Sequence, residues 1–99
     1  MDEPSNNYLE LFFADEEHWI QQISGVYSQD RKVMYRGCLI AALVHFYPGG
    51  RLPARNQRTR VKEAIAKLFP KRCNDVILFN DHKDTIIADI RAVVAEAKV

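Results

Sequence analysis

The sequence predicts a mainly α domain of four helices, built around a buried central one at residues 35–47, with residues 1–99 as a single domain. Three observations carry this. The stretch Tyr35 to Tyr47 is apolar on every side, through Cys38, Leu39, Ile40, Ala41, Ala42, Leu43, Val44 and Phe46; a helix without a polar face belongs inside a domain. Ile86, Ile87, Ile90, Val93, Val94 and Ala97 recur at helical spacing near the end of the chain. Pro48-Gly49-Gly50 and Pro70 stop the two middle helices, because proline cannot continue a helix and glycine supplies the left-handed stop. The class becomes α+β if short extended stretches at 19–27 and 76–79 pair.

The elements follow in order. Ser5 or Asn6 offers a side-chain oxygen to the free amides of a first helix. Leu9, Phe12, Phe13 and Ile20 lie on its apolar face, and it ends near Asp15–Glu17 or runs on to Gln22. Residues 19–27 read as extended, interrupted by Gly25, and Ser28 to Lys32 as a polar turn. After the central helix, Arg51 to Arg58 reads as a basic loop. Val61, Ile65, Leu68 and Phe69 then fall at i, i+4, i+7 and i+8, the spacing of an amphipathic helix closed by Pro70. Val76-Ile77-Leu78-Phe79 is a short apolar run that suits a small strand. Asn80 to Lys83 makes a turn, and Asp84 or Thr85 caps the last helix.

A hydrophobic fraction of 47% fills a core, and four glycines and four prolines exclude a collagen-like or disordered chain. No apolar run approaches the roughly 18 residues of a membrane span. The start, Met1-Asp2-Glu3-Pro4, is acidic where a secretory leader is basic and then apolar. A cytoplasmic location is expected, with Cys38 and Cys73 as reduced thiols.

Net charge is +1, but its sign is segregated. Residues 1–17 hold Asp2, Glu3, Glu10, Asp15, Glu16 and Glu17 and no Lys or Arg. Residues 31–72 hold Arg31, Lys32, Arg36, Arg51, Arg55, Arg58, Arg60, Lys62, Lys67, Lys71 and Arg72 against Glu63 alone. The simpler reading is that the two ends neutralise each other within one fold; the other is that the basic middle faces an acidic partner. Arg51, Arg55, Arg58, Arg60 and Lys62 are the candidate partner- or anion-binding residues, since guanidinium groups bind phosphate and carboxylate bidentately.

Cys38 falls near the start of the central helix, where free amides favour a thiolate. His82, with Asn80 or Asp81, has the chemistry of a base and its orienting group for a cysteine-dependent hydrolase. Against that, a cysteine among Leu39, Ile40 and Ala41 is usually core. Asn80 and Asp81 have two readings: a structural turn into the last helix, which the base rate favours, or a polar cluster with Cys38 at the start of the central helix. No catalytic set, cofactor or metal is expected. His18, His45, His82, Cys38, Cys73, Asp81 and Asp84 show no paired-ligand spacing. Gly49-Gly50 follows a helix, whereas a phosphate loop follows a strand.

Four landmarks stand in order: Trp19 with Tyr27, Gly37-Cys38-Leu39-Ile40-Ala41-Ala42-Leu43, the amphipathic helix, and Phe79-Asn80-Asp81 before the last helix. Over roughly residues 9–97 this order resembles a family of small bacterial and phage proteins of unknown function. That family shows a Trp, a Cys-Leu-Leu-Gly-Ala-Leu-like helix start and a Trp- or Phe-Asn-Asp turn. Ala41 stands where the pattern has glycine, and His82-Lys83-Asp84 replaces its Gly-Arg. The resemblance implies one intact domain and transfers no activity; a phage or mobile-element origin suits an adaptor or an inhibitor of a host system.

The leading expectation is a non-enzymatic binding or regulatory module acting through protein contacts. The alternatives are nucleic-acid binding through residues 51–62 and cysteine-dependent hydrolysis by Cys38. A homodimer is expected, because one ring of the adjacent Phe12-Phe13 pair should point away from the buried stripe and leave an exposed apolar patch.

Overall fold

The computed structural model describes residues 7–23, 25–50, 53–72 and 75–99. The elements are α1 (Tyr8–Phe12), a 3₁₀ turn (Glu16–His18), β1 (Gly25–Tyr27), β2 (Met34–Gly37), α2 (Leu39–Phe46), α3 (Arg55–Leu68), α4 (Val76–Asp81) and α5 (Ile87–Ala97). The class is mainly α with a two-stranded antiparallel sheet. The radius of gyration is 12.4 Å, close to the ~13 Å of a compact 100-residue domain.

α2 sits at the centre and packs against α1, α4 and β2, while α3 and α5 share the most extensive helix–helix contact. Its core side chains are Leu39, Ala41, Ala42 and Leu43. Around them lie Leu9 and Phe13 from α1 and its end, Val61 and Ile65 from α3, Phe79 from α4, and Ile90, Val93 and Val94 from α5. The α5 stripe is buried as its spacing predicts, except that Ile87 is half-buried and Ile86 is exposed. Polar clips hold the ends. Arg91 of α5 donates from Nε to the Phe13 carbonyl at 2.8 Å and from a terminal nitrogen to that of Ala14 at 2.7 Å, covering acceptors left open where α1 ends. The Val99 carbonyl accepts from Leu9 N at 2.7 Å and from the Tyr47 hydroxyl at 2.9 Å.

Several expectations are corrected. The central helix is shorter than 35–47: residues 34–37 form β2, which pairs with β1 through Gly25↔Gly37, Val26↔Arg36 and Tyr27↔Met34. In β2, Met34 and Gly37 are buried and Tyr35 and Arg36 exposed, a pattern hidden by the apolar residues that follow. The extended stretch 19–27 is a strand only at 25–27; before it, Trp19 makes a single parallel bridge to Gly37. Residues 76–79 are helical, so α4 is a fifth helix. Asp75 caps it by accepting from Leu78 N at 3.0 Å, and Val76, Phe79 and Asn80 form its buried face. Four consecutive apolar residues carry no period of their own, and the period appears only once Asn80 is counted as buried. Asn80 and Asp81 therefore end a helix rather than open a turn.

The first helix stops at Phe12, and its cap is Asn7 in the left-handed region; the Ser5 and Asn6 alternatives lie outside the described residues. Neither Asp84 nor Thr85 caps α5. The cap position is Ile86, whose amide donates to Asp89 Oδ2 at 3.2 Å. Thr85 is buried and meets Arg72. Arg72 also pairs with Asp89 at 2.7 Å and lies over the Phe69 ring at 4.7 Å, clamping the end of α3 to the start of α5.

Phe12 and Phe13 are both buried, 9% and 0% exposed. Phe13 sits past the last helical residue, so the backbone turns and the two rings meet edge-on at 5.1 Å. Phe12 also stacks on His18 at 4.6 Å. The exposed ring expected of this pair is absent, and with it the motive given for a homodimer.

Candidate functional site

A cluster of hydrogen bonds lies where residues 19–22 meet the start of α2 and the end of α4. Its centre is Asn80, 0% exposed. Its Oδ1 accepts from Trp19 Nε1 at 2.7 Å and from the Leu39 amide at 2.9 Å. Its Nδ2 donates to the Ile20 carbonyl at 3.1 Å and to Asp81 Oδ1 at 3.0 Å. An amide side chain has two acceptor lone pairs and two N–H groups, and all four are used. Leu39 N opens α2, so Asn80 satisfies one of the amides that a helix leaves without an internal partner.

The neighbouring residues extend this knot. Gln21 Nε2 donates to the carbonyls of Asn80 at 2.9 Å and His82 at 3.1 Å, closing the end of α4. Gln22, with a φ of 70°, donates its amide to Asp81 Oδ1 at 2.8 Å. The strand pairing expected between 19–27 and 76–79 is not found: Gly25–Tyr27 pairs with Met34–Gly37, and the hydrogen bonds of residues 19–22 go instead to Asn80, Asp81 and His82 at the end of α4.

Cys38 lies beside the knot as the cap of α2, and its Sγ accepts from Ala41 N at 3.4 Å. Burial pushes the thiol pKa up; the nearby Asp81 charge adds to this and the Ala41 amide opposes it. The group is a thiol at neutral pH. His82 Nδ1 accepts from Asp84 N at 3.1 Å, and among the described residues no hydrogen bond joins Cys38 to a histidine. No cluster of three or more His, Cys, Asp or Glu among the described residues could hold a metal. In this arrangement the Cys38 sulfur faces the Ala41 amide and His82 faces the Asp84 amide.

Above Cys38 a cleft of about 210 Å³ opens to solvent, lined by Gln22, Ile23, Cys38, Ile40, Ile77, Asn80 and Asp81. Ile23 and Ile77 remain 56% and 50% exposed on it. The structure therefore brings together Cys38, Asn80 and Asp81, the cluster named as the second reading of Asn80-Asp81. Sequence reasoning missed Gln21, Gln22, Ile23 and Ile77 as its partners. The signal for Ile77 was present: it is the apolar residue of α4 four positions before Asp81, and so shares its face.

The basic residues fall differently. Arg51 lies outside the described residues. Arg55, Arg58, Arg60 and Lys62 are on α3 rather than in a loop, and they divide around it. At 100° per residue, Arg55, Arg58 and Lys62 share one face, and Arg60 lies on the other flank with Lys67. Arg60 and Lys67 line a groove of about 870 Å³ with Glu10, Glu63, Glu96 and Lys98, and Lys67 pairs with Glu96 at 2.7 Å. Glu10 thus brings one acid of the first helix to that groove. Among the described residues, none of Arg55, Arg58 or Lys62 joins an ion pair. No described helix is long and apolar enough to cross a membrane.

Compared with protein-family models, with curated proteins and with solved structures, the chain matches none.

Proposed function

We propose that this protein is a non-enzymatic binding or regulatory module that acts through protein contacts. One observation carries the reading: Ile23 and Ile77 stand exposed on a single cleft whose shape is held by a fully hydrogen-bonded knot. Apolar side chains grouped on a rigid support are a feature of interfaces. The likeness to small phage and bacterial proteins agrees with an adaptor or an inhibitor of a host system, at work in the cytoplasm. Photocrosslinking tests it. A photoreactive residue at position 77 should capture a defined protein in cells that naturally make this chain, and one at position 92, on the exposed side of α5, should not. Turnover of a small molecule, with equal or no capture at the two positions, overturns it.

A second reading is nucleic-acid binding, favoured by Arg55, Arg58 and Lys62, which share one face of α3 and join no ion pair among the described residues. Binding through phosphates would weaken steeply with salt, and replacing the three residues by glutamine would reduce that salt dependence by about three counterions' worth. No affinity for DNA or RNA at low salt ends this reading.

A further inference from the structure

The chemistry of the cleft narrows its occupant. Its walls are Ile23, Ile40 and Ile77 over the Cys38 thiol. About 210 Å³ is the space of roughly seven water molecules at ~30 Å³ each, enough for one branched aliphatic side chain. The rim carries one formal charge, Asp81. Its Oδ1 is committed to Gln22 N and Asn80 Nδ2, while Oδ2 accepts nothing among the described residues. A carboxylate anchored through one oxygen cannot swing away, so the other oxygen waits at a fixed place beside the apolar walls. Pairing with it requires little further ordering of the protein.

We propose that the cleft binds a partner segment presenting an aliphatic side chain next to a lysine or arginine. The aliphatic group would enter between Ile23 and Ile77, and the cation would meet Asp81 Oδ2. Charge complementarity decides the partner's sign: an acid at that position would face a carboxylate that the knot prevents from retreating. This rests on the protein-contact reading above and specifies what that contact recognises.

The test uses the full chain, isotope-labelled for NMR, and four capped six-residue alanine peptides whose central pair is Leu-Lys, Leu-Gln, Leu-Glu or Ala-Lys. The Leu-Lys peptide should shift the amide signals of Ile23, Ile77 and Asp81 and the indole N–H of Trp19. It should bind about fivefold more tightly than Leu-Glu, the scale of one exposed ion pair, with Leu-Gln between them and Ala-Lys weakest. Asp81→Asn retains an oxygen for Gln22 N, so the fold should persist, and the order among the three leucine peptides should flatten. The proposal is overturned by equal affinity for Leu-Lys and Leu-Glu, by an unchanged order in Asp81→Asn, or by no shift at millimolar peptide. If crosslinking at position 77 still captures a protein in that case, the protein-contact reading stands and only this specificity falls.

Discussion

The knot around Asn80 and the basic face of α3 treat polar groups in opposite ways. In the knot, one buried amide makes four hydrogen bonds to the 19–23 segment, α2 and α4. On α3, Arg55, Arg58 and Lys62 project without an ion pair among the described residues. The physical difference is desolvation. A buried polar atom must be paired because losing water without a replacement costs about 1–3 kcal/mol; an exposed cation keeps its water and needs no partner. The knot therefore bears on stability, and the α3 face can bear on binding at little cost to the fold.

The sharpest way to break that contrast is Asn80→Ala. It orphans the Trp19 indole N–H, the Leu39 amide and the Ile20 carbonyl together, so a loss of about 3–4 kcal/mol is expected. That is a large share of the ~5–15 kcal/mol of a typical domain, and urea unfolding followed by circular dichroism measures it. A loss under 1 kcal/mol would show that water replaces the side chain and that the knot is not structural.

Trp19→Phe is gentler. It removes one donor while Asn80 Oδ1 keeps the Leu39 amide, and should lower stability by about 1–2 kcal/mol. A loss equal to that of Asn80→Ala would mean that Trp19 packing, rather than Asn80, holds the segment.

Neutralising the α3 face sharpens the other side of the comparison. Arg55→Gln, Arg58→Gln and Lys62→Gln should each stay within about 0.5 kcal/mol of the parent in urea unfolding. A larger loss would reveal a structural role for these side chains.

Cys38 lies beside the knot, and its reactivity tests how closed that region is. Since burial raises the thiol pKa, a Cys73→Ser variant should react slowly with a thiol reagent at neutral pH and quickly once unfolded in urea. Fast labelling of the folded form would show that reagent reaches the thiol through the cleft.

The smallest effect lies in the hairpin loop. Asp30 Oδ1 accepts from the Ser28 hydroxyl at 2.7 Å and from the Lys32 amide at 3.1 Å, and these bonds lower the Asp30 pKa. A lowered folded-state pKa contributes stability above the unfolded value of about 3.9, and this is lost as pH falls through the folded value. Carboxyl NMR titration should place Asp30 below the ordinary aspartate range, and Ser28→Ala should move it back up.

Periodicity and punctuation made much of the architecture legible. The buried face of α5, the core of α2, the stop at Pro48 and the amphipathic α3 follow from spacing, proline and glycine, because the 3.6-residue repeat is a local property. The start of α2 was not legible in this way: the apolar run placed it at residue 35, and Cys38 caps the helix only because residues 34–37 form β2. The composition also marked 51–62 as basic, but its division into two flanks appears only once α3 is known to begin at Arg55, for a loop assigns no faces.

Pairings across long sequence separations decided the rest. Whether 34–37 joins the helix or becomes β2 depends on Gly25 to Tyr27 lying alongside. Whether 76–81 is strand or helix depends on Asn80 being buried, and Asn80 is buried because Trp19, Ile20 and Leu39, 41 to 61 residues away, satisfy it. Local propensity fixes which segments tend to coil, whereas burial of a polar group depends on partners that the chain supplies only after it has folded. The sequence by itself determined the helices with a clear apolar stripe; the tertiary structure alone decided that the Asn-Asp pair would end a helix and bond residues 19–22 and the start of α2 rather than make a turn.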